Sequence, residues 1–216
     1  MNGSWRLDWP VLSASVLHEL TVHRERLNAV DQAYQNHGDQ LLELWQLLDA
    51  VVRAHPAERP PALFEPIERA LELRPESETL HAYRNVLQRQ QAAWLAGELD
   101  EERLILLAQR LLHGNPEHDV GNGPLAGALA GLIRSLGGTA RAQRLAERFG
   151  VADLLAGGLD LTGGNPGAAL QAGVAFLVGQ SPLAARPHLA ESGRLVLRTL
   201  LLEIDRQARH WPPDGD

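Results

Sequence analysis

The sequence predicts an all-α protein built of antiparallel helical hairpins, packed as a bundle or as a short helical-repeat-like array. Three observations carry that reading. Leucine (40) and alanine (29) dominate the apolar residues while isoleucine (4) and threonine (5) are scarce, a palette that favours helix over strand. Apolar side chains recur at spacings of three and four, and no stretch alternates apolar and polar residues as a half-buried strand does. The helical segments are separated by few residues at Asn, Gly and Pro stops, so consecutive helices must fold back on one another.

The first helix is expected over 11–36, with Val16, Leu20, His23, Leu27, Val30 and Tyr34 on one seam and Asn36-His37-Gly38 as its stop. A second follows with Leu41, Trp45, Leu48 and Val52 on one stripe and Leu44, Leu47 and Val51 widening the apolar face. So short a connection requires an antiparallel hairpin with Trp45 as its anchor, closed by the proline cluster from Pro56 to Pro61. The pattern resumes from Ala62 through Leu63, Ile67, Ala70 and Leu71, stops at Pro75, and restarts at Glu78 through Tyr83, Leu87 and Trp94. A fifth helix is expected from about Asp100 to His113. The string IERALELRPESETL resembles the junction between two tetratricopeptide units, but over about 14 residues and without the rest of that signature. It is read as helical-hairpin grammar rather than membership.

Beyond residue 119 the texture changes. Setting Pro124 on Pro166 aligns PLAGALAGLIRSLGG with PGAALQAGVAFLVGQ at an offset of 42 residues, within the range of paired-helix repeats. In both copies an asparagine and a proline mark a helix start and a glycine its end. Gly123, Gly127 and Gly131 lie four apart and suit a close helix contact. One all-α domain over 1–216 is therefore expected, with an acidic helical-hairpin half (1–119) and a Gly/Ala-rich helical half (120–216).

Composition excludes several chemistries. There is no cysteine and all 20 basic residues are arginine. Disulfides, thiolate nucleophiles, iron–sulfur clusters, Schiff-base lysines and P-loops are ruled out together. The net charge is −7, and the first half holds 11 Arg against 19 Asp and Glu, so nucleic acid is not an expected partner,. The segment MNGSWRLDWPVLSASVLHEL lacks a basic leader before an apolar run, and no stretch reaches the 18 or so apolar residues of a membrane span. A cytoplasmic location is the expectation.

Four constellations bear on function. Glu19 and His23, one helical turn apart, offer two metal ligands on one face. HELTVH is not a zinc-protease motif, however, because His18 and His23 point about 140° apart on a helix. His23, on the seam, is read as a core histidine. SVLHEL resembles the phosphoacceptor box of sensor histidine kinases, and GPLAGALAGLIRSLGGTARAQ is similar to a glycine box of their ATP domain. That resemblance covers about 25 residues in two pieces, without an asparagine box or a strand pattern between them. It implies His18 as phosphoacceptor. GGLDLTGGNPG leads into a helix start, so Gly163, Gly164 and Asn165 could hold an anion through backbone N–H groups, with Arg141, Arg144 and Arg148 as countercharge. His113, His118 and Asp119 form a polar cluster of metal-ligating types. None of the seven serines sits in a GxSxG elbow.

No catalytic residue is assigned and no cofactor is identified. The expected function is a non-catalytic helical interaction protein, an adaptor, assembly factor or small chaperone, with another protein as partner and self-association open. The alternatives are a helical domain binding an apolar or anionic small molecule, and a metal-dependent enzyme using histidines and carboxylates. A deep pocket lined by Trp45 or Trp94 would favour the ligand reading; an exposed apolar groove would favour the adaptor.

Overall fold

Asp8 starts the first helix by accepting the Val11 N–H at 3.0 Å, and Pro10 inside the first turn removes a donor that has no intrahelical partner. The computed structural model describes residues 7–56, 58, 60–97, 99–113, 166–179 and 181–210. Among the described residues all regular structure is helical: α1 (Trp9–Val30), α2 (His37–Ala54), α3 (Pro60–Glu72), α4 (Glu78–Leu95), α5 (Glu101–His113), α6 (Pro166–Gly179), a 3-10 turn (Pro182–Ala185) and α7 (Pro187–Arg209). The protein is all-α, and its helices pair much as the sequence predicts.

α1 and α2 form the antiparallel hairpin. Asn28 donates to Asp39 at 2.8 Å beside the connection, and the Trp45 indole N–H donates to the Ser13 carbonyl at 3.3 Å further along. Leu12, Val16, Leu20 and Leu27 on α1 are buried with Leu41, Leu44, Leu48 and Val52 on α2, each leucine contributing about 1.5–3 kcal/mol on leaving water. Trp45 is only half-buried, so leucines rather than the tryptophan hold the centre of the hairpin.

The first helix stops earlier than its seam suggests. Asp31 accepts the N–H groups of Ala33, Tyr34 and Asn36 at 3.2–3.3 Å, giving the backbone a turn that competes with another helical turn. Gln35 adopts φ 55°, and Tyr34, expected on the seam, is 76% exposed. His37 and Gly38, expected to end α1, instead open α2. A Cβ on Gly38 would lie 2.3 Å from the Arg24 carbonyl oxygen, so the glycine permits the close crossing of the two helices.

Ser77 caps α4 by accepting the Leu80 N–H at 3.1 Å. Arg84 then donates to the Leu71 carbonyl at 2.9 Å, tying α4 to the end of α3 and making the second hairpin. α3 and α4 both lie against α2, while α5 packs on α6 and α7. Near the start of the described chain, the Trp9 indole donates to Glu101 at 3.1 Å, and its ring meets Trp94 edge-on at 6.1 Å.

α6 begins at Pro166 and ends at Gly179, as the proline and glycine signals predict. Gly173 lets it approach α5, since a Cβ there would stand 2.6 Å from a Leu111 methyl. Gly123, Gly127, Gly131 and the other copy of the 42-residue alignment lie outside the described residues. α7 is the structural axis, packing on α1, α5 and α6. Its buried Leu189, Val196, Leu197, Leu201 and Ile204 join the same core as α1, although sequence reasoning did not single this helix out.

Candidate functional site

α1 and α7 run antiparallel. The Asp8 N–H meets Gln207 at 2.8 Å at one end, and Arg26 pairs with Glu191 at the other. Their buried faces point into the core, which leaves a valley between their outer faces. Near the start of α1 this valley is a cavity of about 590 Å³ whose apolar lining includes Val11, Ala14, Leu195 and Leu202. It continues past Leu195 and Arg198 into a second hollow of about 370 Å³ reaching Val174 and Ala175 on α6. Leu202 is 40% exposed, and Val22, one turn from both His18 and Arg26 on α1, is 63% exposed.

The rim is basic. Arg26, Arg53, Arg194, Arg198 and Arg206 line the two hollows against Glu19, Glu191 and Glu203. Glu191 serves both Arg26 and Arg194, Glu203 holds Arg206 at 2.5 Å, and Arg53 turns to Asp49 at 2.6 Å. Burial works against the Glu203 charge, yet the hydrogen bonds from Arg206 and Gln207 outweigh it and hold its carboxyl below the usual value,. Arg198, at the junction of the hollows, has no ion-pair or hydrogen-bond partner among the described residues. A strip of positive charge thus lies on a protein of net charge −7, above a floor with unused apolar surface.

His18 is exposed and lines this valley, so the residue expected as phosphoacceptor lies on an open surface. His23 is half-buried, its Nδ1 3.0 Å from the Glu19 carbonyl oxygen and 3.6 Å from its carboxylate. His113 is the last residue of α5, its side chain outside the described residues. His118, Asp119, Arg141, Arg144, Arg148, Gly163, Gly164 and Asn165 also lie outside them. Among the described residues no group of three His, Asp or Glu is placed to hold a metal ion. Neither Trp45 nor Trp94 lines either hollow.

A second polar centre is buried where α2, α4 and α7 begin. His37 is 1% exposed, with Nδ1 2.8 Å from the Thr79 hydroxyl and its ring centroid 4.8 Å from that of His188. His188 Nε2 stands 3.7 Å from the Glu78 carboxylate, which also takes Arg186 at 3.0 Å. His37 Nε2 has no hydrogen-bond partner among the described residues. Burial, with the neighbouring His188 adding to it, lowers the His37 pKa to about 4. Asp31 also faces this centre; burial disfavours its charge, but the three backbone N–H groups and nearby His188 hold its carboxyl below the ordinary value. Close by, the Tyr83 hydroxyl donates to Ser192 at 2.9 Å, and burial raises its pKa.

Sequence reasoning singled out His18 in the valley but found neither place as a whole. The valley depends on how α7 lies against α1, and the histidine pair joins residues far apart in the chain, for which no local pattern exists. Comparison of the chain with known protein families, with curated proteins and with solved structures finds no match.

Proposed function

We propose that this protein is a helical interaction protein, an adaptor, assembly factor or small chaperone, and that the valley between α1 and α7 is its working surface. The observation that supports this reading most is the combination of an open apolar floor with a rim of arginines outnumbering its carboxylates. Exposed apolar surface framed by polar residues marks interaction sites, and local charge opposite in sign to the net charge steers a complementary partner. An anionic small molecule is the second reading, because about 590 Å³ falls in the range of ligand sites,. Against it stands the shape, a long open trough rather than a cavity that would enclose most of a ligand.

The test is to isolate the untagged protein from its native host and identify by mass spectrometry the proteins and small molecules that stay with it. A protein held in fixed proportion supports the interaction reading. A small molecule at one per chain, with no protein, moves the assignment to the ligand-binding alternative.

A further inference from the structure

We infer that the α1–α7 valley receives a single amphipathic helix of a partner protein, apolar on one face and carrying glutamates or aspartates along its flanks. This rests on the interaction reading above and specifies its partner. The geometry supplies the shape. On α1, Val11, Ser15, His18, Val22 and Arg26 follow one another at spacings of four and three, so they form one stripe along the outer face. On α7, Leu195, Thr199, Leu202 and Arg206 do the same in the opposite direction. Two antiparallel stripes with apolar residues between them present the seat into which a third helix packs in a bundle. The stripe from Val11 to Arg26 is about 23 Å long at 1.5 Å per residue, enough for about 16 residues of helix.

Charge supplies the sign. The arginines of the rim exceed the glutamates they pair with, and Arg198 at the centre is unpaired among the described residues. An acidic flank meets this surplus, whereas a basic helix would meet like charge along the rim. Leu202, exposed at 40%, and Val11 on the facing helix provide apolar contact on the two walls. A second copy of the chain is the competing occupant, since its first half is acidic.

The experiment uses the full chain as bait for a display library of 18-residue amphipathic helices, leucine at the core-facing positions and Glu, Gln or Lys randomised at the flanks. Acid-flanked sequences should be enriched, and Arg198→Glu, exposed and outside the core, should weaken the selected peptides about tenfold or more while leaving the circular dichroism spectrum unchanged. Neutral or lysine-rich winners, equal binding to Arg198→Glu, or no enrichment would overturn the inference. Concentration-dependent dimers that the peptides displace and Arg198→Glu dissolves would overturn it in favour of self-association. A host protein that co-purifies equally with wild type and Arg198→Glu would keep the interaction reading and remove the valley as its site. Co-purification of no protein would remove the reading itself.

Discussion

His37 is the residue where the fold is most exposed to solution conditions. Its ring is buried against His188 at the starts of α2 and α7, where helix dipoles disfavour a cation,, with Asp31 and Glu78 as the facing carboxylates. The free side chain takes a proton near pH 6.5 and the folded one near pH 4. Between those values the unfolded chain binds a proton that the folded chain does not, so stability falls as pH falls through that window. The loss is about 2 kcal/mol by pH 5 and approaches about 3 kcal/mol at pH 4 and below. Urea unfolding at pH 7 and pH 5 should show this difference, and His37→Asn should flatten it. Equal loss in both proteins would place the acid sensitivity elsewhere. Gly38 is the second residue-scale test. The atom a Cβ would strike is a backbone carbonyl that cannot swing away, whereas at Gly173 it is the end of a leucine side chain. Gly38→Ala should therefore lower stability by about 1–3 kcal/mol and Gly173→Ala by less, as read from thermal melts.

At the scale of elements, the leucines of the first hairpin outweigh its tryptophan. Leu20→Ala, at a side chain with no exposure, should destabilise by about 2–5 kcal/mol, and half-buried Trp45→Ala by less than the 3–5 kcal/mol of a fully buried tryptophan. Denaturation midpoints of the two variants rank them directly. The hairpins were legible in the sequence because their seams, stops and short connections are local: Pro75, and the proline and glycine bounding α6, act within a few residues. The end of α1 was not, because Val30 and Tyr34 continue the apolar spacing while Asp31 diverts the backbone with its side chain. The valley proposed as the working surface was legible only in part. His18 was visible as an exposed histidine, but Arg198 and Leu202 come to share a hollow with it only once α7 lies antiparallel to α1, and nothing local encodes that.

On the scale of the molecule, one face stands apart from the rest. The core joins α1, α2 and α7, the histidine centre pins the starts of α2, α4 and α7, and the valley on the outer side of α1 and α7 is left with apolar surface and surplus positive charge. Leu202→Arg should then abolish partner binding in pull-downs while changing the melting temperature little, since the side chain is already partly in water,. Whether a partner sits in this valley can be read by site-specific photo-crosslinking in the native host. A photoreactive residue would stand at position 202 in the valley or, as comparison, at position 73, an 87% exposed leucine beyond the end of α3. One discrete protein adduct is expected from position 202 and none from position 73; an adduct from 73 alone, or no protein adduct from 202, would contradict a partner seated in the valley.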